Sequence, residues 1–378
     1  IRNIRTGVME ACRFYAGLIE EGAPMGYIDM GGGLAVDYEG ARSNSTHSMN
    51  YGLDEYCYNI VEALQESLDP LDIPHPVIIS ESGRALVAYS SMLLFNVLEV
   101  REHKAEPLPA EAPEDSHDHI INLFSVLDYV SPENLQECYN DSLYYRDEMR
   151  ELFHHGQATI RERALAENLA LAILEKISNL LPQARRVSQE LEALPELLSD
   201  IYYGNFSLFQ SLPDIWAIDQ LFPIMPIHRL NEAPVRDAVL ADMTCDCDGK
   251  IDNFISPTGV KKTLPLHELK DGEEYYLSVF LVGAYQETLG DLHNLFGDTN
   301  VVSVHINEEG GFDFRREFHG DSIADVLSYV EYDPKHMLEQ FRRIAEEAVR
   351  DGRISVPMRQ KMLHAFKESM HGYTFFER

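Results

Sequence analysis

The chain has 378 residues, 45% of them hydrophobic and 25% charged, and its 63 acidic against 31 basic side chains give a formal net charge of -32. Such a length exceeds what one hydrophobic core usually serves, so two or three globular domains are expected. The acidic balance argues against nucleic acid or an anionic membrane as partner, because phosphate binding needs a basic face; it would draw in a cationic substrate, and serves equally well simply to keep a large protein dissolved.

No run approaches the ~18 apolar residues of a membrane span, and no charged-then-apolar start resembles a signal peptide, so the cytoplasm is the expected location. Cys12, Cys57, Cys138, Cys245 and Cys247 are odd in number and scattered, which argues for reduced thiols and against a disulfide framework. Ile1 opens directly on a helical pattern with no capping residue before it, which reads as a start inside a fold.

Ile4, Val8, Ala11, Tyr15 and Leu18 recur at helical spacing until Gly22, and Tyr27-Ile28-Asp29-Met30 then leads as a strand into glycines. Leu53, Tyr56, Cys57, Ile60, Val61, Leu64 and Leu68 mark a second amphipathic helix, followed after Pro74 and Pro76 by the strand Val77-Ile78-Ile79. This alternation predicts parallel strands covered by helices. From Glu106 an acidic, proline-bearing stretch leads into a long helical region, with Leu165, Leu169, Ala172, Ile177 and Leu180 in register. Beyond Tyr202 come the strand-like NFSLF, then VRDAVLADMTCD, EEYYLSVFLVGAY and VVSVHINEEGGFDFRRE, which fit a mainly antiparallel domain. Asp321 opens one helix, and Asp333-Pro334 supplies a cap and a first-turn proline for another.

Four motifs could carry chemistry. Gly31-Gly32-Gly33 directly after a buried strand would let backbone N–H groups cradle a phosphate, though a sharp turn explains the triplet equally well when it stands alone. A dinucleotide fingerprint is excluded by Val36 where glycine or alanine is needed. In Ser80-Glu81-Ser82-Gly83-Arg84, Gly83 and Arg84 could meet a phosphate while Glu81 keeps a ring nitrogen protonated; by itself such a pair is more often a structural ion pair. Thr244-Cys245-Asp246-Cys247-Asp248 could deliver a proton from a thiol beside a carboxylate, or be a turn with Cys245 as a small buried hydrophobe; zinc is disfavoured because no second cysteine pair exists. Tyr285, ending Gly283-Ala284-Tyr285, could bond a phosphate oxygen, but strand tyrosines usually pack. His117, His119, His154 and His155 read as surface residues.

In this order the motifs resemble the fold-type III pyridoxal-phosphate decarboxylases, and GGGLAVDYEG, NYGLDEY, ESGRA, NFSLFQSLPD, IDQLFP, TCDCDG, VGAYQE and HNLFGDT are similar to the biosynthetic arginine decarboxylases throughout the chain. The resemblance implies the C-terminal half of a TIM-like β/α barrel in residues 1–105, a helical insertion in 106–200, the last barrel strand and a crossover in 201–230, a β domain in 231–320 and a helical tail in 321–378. It implies that Gly31, Gly32, Gly33, Gly83, Arg84 and Tyr285 hold the phosphate of pyridoxal 5'-phosphate and that Glu81 faces the pyridinium nitrogen. It places the substrate, L-arginine, along Ile28, Asp29, Met30, Gly31, Gly32, Gly33, Leu34, Ala35, Val36, Asp37 and Tyr38, with Cys245 as proton donor and Asp246 helping to hold the substrate. A homodimer or larger homo-oligomer and Mg2+ are implied as well, the latter without identifiable ligands. The family's Schiff-base lysine lies upstream of Ile1, so the chain alone is expected to be inactive. A decarboxylase of another basic amino acid or diamine derivative, a non-catalytic regulatory homologue, and a barrel isomerase or phosphate-binding enzyme resting on the triple glycine alone are the competing expectations.

Overall fold

The computed structural model describes residues 1–377. Its first unit is the expected one. Helices Arg2–Glu20 and Leu53–Leu68 lie against strands Tyr27–Asp29 and Val77–Ile79, which pair in parallel with Ile28 opposite Ile78. The apolar stripes of both helices explain the packing: Val8, Cys12 and Tyr15 meet Ile60, Leu64 and Leu68 in one core that also takes Ile28. Arg5 bridges the two helices through Glu62 at 2.6 Å and Glu66 at 2.5 Å. The other side of this small sheet is bare, and Tyr27, Val77 and Ile79, which point there, are exposed.

A second unit is built on a seven-stranded mixed sheet. Its order is Leu264–Leu266, Arg236–Ala241, Asp200–Gly204, Met92–Arg101, Tyr276–Phe280 and Ile224–Pro226, with Lys250–Ile251 added on Arg236–Ala241. All pairings are antiparallel except that of Asp200–Gly204 with Arg236–Ala241. The expected boundaries shift here. Met92–Arg101, counted with the barrel, and Asp200–Gly204, read as its last strand, both belong to this sheet, because their free edges bond each other and Phe95, Val97 and Tyr202 enter one core with Ala238, Leu240 and Leu277. NFSLF is not a strand either. Pairing stops at Gly204, and Ser207 caps the short helix Leu208–Ser211 by accepting from the Gln210 N–H.

The insertion folds as helices Asp118–Tyr129, Leu135–His154 and Ile160–Leu180, closed by two single-turn helices, around its own core of Ile120, Leu123, Met149, Leu169, Ile173 and Ile177. Thr159 and Glu162 form a reciprocal capping box at the start of the third helix. His103 ties the entry of the insertion to its exit, its N–H donating to Asp200 Oδ1 at 3.1 Å and its Nδ1 lying 2.6 Å from the Ser199 carbonyl.

The hairpin Val301–Ile306 and Phe312–Phe318 stands apart from the seven-stranded sheet with its residues exposed. The tail is helical as expected: Ile323–Tyr329, Pro334–Arg350 capped by Asp333, and Val356–Met370. Asn205 fastens the chain's end to the sheet unit through the backbone N–H and carbonyl of Phe376. All five cysteines are free. Among the described residues no helix is long and apolar enough to cross a membrane.

Candidate active site

The glycine loop and the Glu81 segment leave neighbouring parallel strands and are laced together at their ends. Met30 N–H donates to the Ile79 carbonyl at 2.9 Å and Glu81 N–H to the Gly31 carbonyl at 2.8 Å. Gly31 and Gly33 have φ of +64° and +102°, a region that strains residues with a Cβ, and no atom lies within 4 Å of where a Cβ on either would stand. The loop therefore opens onto free space. The Gly31 N–H is already taken by Asp29 Oδ1 at 2.8 Å and that of Gly83 by the Glu81 carbonyl at 2.7 Å. Among the described residues, the N–H groups of Gly32 and Gly33 have no hydrogen-bond acceptor.

Arg84 is the hub. Its Nη1 donates to the Tyr38 hydroxyl at 2.9 Å, its Nη2 lies 3.4 Å from Asp214 Oδ2, and its guanidinium sits 4.7 Å from the centre of the Tyr285 ring. Asp214 is buried and is itself held by Gln286, which donates to Oδ2 at 2.8 Å and accepts from the Asp214 N–H at 3.1 Å. Burial works against the charge of Arg84, but the bonds to Tyr38 and Asp214 outweigh it and raise its pKa. Burial pushes the Tyr38 phenol up, so it stays protonated, although Arg84 pulls the other way. Tyr285 reaches this place because Gly283 lets its loop close on the end of the short helix Gly83–Val87, where a Cβ would run into the Val87 carbonyl; Tyr285 itself has a φ of +71°.

The residues expected along the substrate divide. Ile28, Val36 and Tyr38 are buried in the two cores, and Asp37 is occupied by its own loop, accepting from Ser48 Oγ at 2.7 Å and the Arg42 N–H at 3.1 Å. Ala35 N–H donates to the Tyr51 hydroxyl at 3.2 Å, and Met30 and Leu34 pack beside the core of the first two helices, which leaves Asp29 and the glycines nearest the opening. Glu81 is exposed between Ser80 and Ser82, whose hydroxyls lie 2.7 Å apart.

The Cys245–Asp246 loop forms a second group. Beneath it, buried Asp242 accepts from the Thr244 N–H and hydroxyl through Oδ1 and from the Leu208 N–H through Oδ2, and burial raises its pKa despite these bonds. Asn294 Oδ1 accepts from the Cys245 N–H at 3.1 Å, Asp246 Oδ1 accepts from the Asp248 N–H at 2.9 Å, and both thiols are exposed. Among the described residues no hydrogen bond joins Cys245 or Asp246 to the Arg84 group. The link is the segment Leu208–Ile218, which sends Asp214 to Arg84 and Phe209 to the ring of His293.

Asp214, Gln286, His293 and Asn294 were not singled out from sequence. Asp214 did carry a signal, as a lone carboxylate among Leu212, Pro213, Ile215 and Trp216 that a buried cation would have to balance.

Residues 1–88 match the pyridoxal binding domain of pyridoxal-dependent decarboxylases, 113–195 the arginine decarboxylase helical bundle domain, and 323–376 the arginine decarboxylase C-terminal helical extension. The chain is 44% identical over 378 residues to the biosynthetic arginine decarboxylase of Bacteroides thetaiotaomicron, covering all of this chain and 60% of that protein. It is 45% identical to that of Gloeobacter violaceus, with 99% of this chain and 59% of that protein covered. The crystal structure of the biosynthetic arginine decarboxylase from Campylobacter jejuni superposes with a TM-score of 0.82 at 30% identity, over 99% of this chain and 60% of that one. The chain thus spans about 60% of the length of the relatives it matches.

Proposed function

Because the chain belongs to the biosynthetic arginine decarboxylase family, we propose that it supplies the phosphate-binding and proton-donating parts of an enzyme that converts L-arginine to agmatine and carbon dioxide for polyamine synthesis. The observation that carries this reading is Arg84, held by Tyr38, Asp214 and Tyr285 beside a glycine loop with two free N–H groups.

The residues present fit pyridoxal 5'-phosphate. Gly32 and Gly33 would donate backbone N–H bonds to its phosphate and Arg84 a charge-assisted bond, with Tyr285 flanking; Gly31 and Gly83 contribute by lacking a side chain, since their N–H groups are spent. Glu81 would hold a proton on the ring nitrogen. When bound, the cofactor supplies an electron-withdrawing ring that accepts the electron pair left as carbon dioxide departs. Cys245 would then protonate the substrate α-carbon: its S–H bond breaks, the new C–H bond forms, and the exposed thiolate recovers a proton from water. Asp246 would help hold the substrate through the oxygen that the Asp248 N–H does not occupy. Two exposed thiols on a surface loop suit a homodimer or larger homo-oligomer in which this loop serves the partner's site. The same reading includes Mg2+, with no ligand assigned to it, and a cytoplasmic location with neither nucleic acid nor membrane as partner.

The amine that bonds the cofactor is assigned to the part of the relatives' length that this chain does not span. Its own lysines begin at Lys104; Lys176 donates to the Leu127 carbonyl at 2.6 Å and Lys250 pairs with Asp252 at 2.9 Å. The chain alone is therefore expected to release no carbon dioxide.

The test is release of labelled carbon dioxide from carboxyl-labelled arginine, ornithine and lysine by the full-length protein with pyridoxal phosphate and magnesium. Turnover of arginine alone supports the reading. Preference for ornithine or lysine would make it a different basic amino-acid decarboxylase, and no turnover of any of the three would leave a regulatory homologue.

A further inference from the structure

We propose that Asn294 and His293 are positioning residues that clamp the Cys245–Asp246 loop, an inference that rests on the reading of Cys245 as proton donor. Asn294 and Leu295 have φ of 54° and 60°, two successive non-glycine residues in the left-handed region. L-residues take that conformation at a cost, asparagine with the least, and they keep it where the surroundings demand it. The turn is closed by Leu295 N–H donating to the Leu292 carbonyl at 2.7 Å. This geometry aims the Asn294 side-chain oxygen at the Cys245 N–H, 3.1 Å away and 49 residues earlier in the chain.

His293 works beside it. Its ring lies 4.4 Å from that of Phe209, and its Nε2 is buried, without a hydrogen-bond partner and 3.7 Å from Asp246 Oδ2. The other oxygen of Asp246 is occupied by the Asp248 N–H. The loop is thus fixed from below by Asp242, through Thr244, and from the side by Asn294, while His293 flanks the one Asp246 oxygen left for a ligand. A thiol exposed to water gains nothing from burial to hold it in line with a reacting carbon. Its direction must come from the backbone that carries it, and the Asn294 bond is what fixes that backbone at Cys245.

The experiment uses the full-length enzyme loaded with cofactor. Asn294→Gly keeps the left-handed turn and removes the acceptor, whereas Asn294→Asp keeps both. Losing one such bond should speed amide exchange in residues 243–249 about tenfold and lower kcat about tenfold, with KM for arginine changed little. Asn294→Asp should restore both, and exchange elsewhere in the chain should stay as it was. Unaltered exchange of the loop in Asn294→Gly, no recovery in Asn294→Asp, or faster exchange throughout the chain would each overturn the clamp. Cys245→Ala separates this inference from the reading beneath it. If that variant turns over arginine at the original rate, the proton-donor role and the kcat part of the inference fall, while loop exchange still decides whether Asn294 holds the loop.

Discussion

At the scale of single residues, Arg84 does what lysine cannot. One guanidinium bonds a buried-side phenol and a buried carboxylate at once and still presents a flat face to the Tyr285 ring. Arg84→Lys should therefore weaken binding of pyridoxal phosphate by the full-length protein tenfold or more, on the order of one charge-assisted hydrogen bond, in a fluorescence titration; affinity within twofold of the original would remove Arg84 from the phosphate site. Asp242 gives a prediction with a sign. Its pKa is raised by burial, so its contribution to stability is complete below the unfolded carboxylate value and declines as pH rises through the folded one. An asparagine does not ionise, and whichever way its amide turns, an NH2 faces an N–H of Leu208 or Thr244. Asp242→Asn should cost about 1–3 kcal/mol, and its deficit should shrink as denaturation is repeated from about pH 4 upward; a deficit that grows would contradict the direction. The glycines and the Gly83-Arg84 pair were legible because their chemistry lies in consecutive residues. Asp214 meets Arg84 across 130 positions and Asn294 meets Cys245 across 49, distances that only the folded sheet closes.

At the scale of elements, helices announced themselves more reliably than strands. Asp333-Pro334 and the apolar stripes of the first two helices are local signals and appear where the sequence puts them. NFSLF failed as a strand because a phenylalanine pair suits a buried turn as well as a pleat, and Ser207 between them was the capping signal that outweighed alternation. Nor does a strand's own sequence say which sheet it joins, which is why Met92–Arg101 and Asp200–Gly204 were placed with the wrong neighbours. The insertion is where element energetics can be measured. Leu169 is fully buried among the three long helices, so Leu169→Ala should destabilise them by about 2–5 kcal/mol, against about 1 kcal/mol for Thr159→Ala at the cap. Circular-dichroism denaturation ranks the two, and a larger loss at the cap would mean that the helices depend less on their core than their packing shows. Glu162 adds a pH signature: backbone and hydroxyl bonds from Thr159 hold its carboxyl below the usual range, so its support is present near neutrality and fades as pH falls through that lowered value.

At the scale of the whole molecule, apolar surface and charge pull in opposite directions. Tyr27, Val77 and Ile79 are exposed on the open side of the parallel pair, and Val302, Val304, Ile306, Phe312 and Phe314 are exposed on one face of the hairpin. Patches of this kind favour association, whereas a net charge of -32 opposes it over the Debye length. The chain studied alone should self-associate, and more strongly as salt is raised to about 0.15 M, where that length is about 8 Å. Sedimentation velocity checks this; a monodisperse monomer at both ionic strengths would show that these faces are innocuous.

The insertion enters and leaves through adjacent antiparallel strands, with Arg101 opposite Ile201 and His103 fastening the two ends. Because the gap between entry and exit is the width of one ladder rung, everything beyond it is topologically a single very long hairpin loop. Evolution could lengthen, shorten or exchange that loop without re-registering the sheet that carries Cys245 and Tyr285, and a protein engineer could use the same junction as a port for a foreign domain.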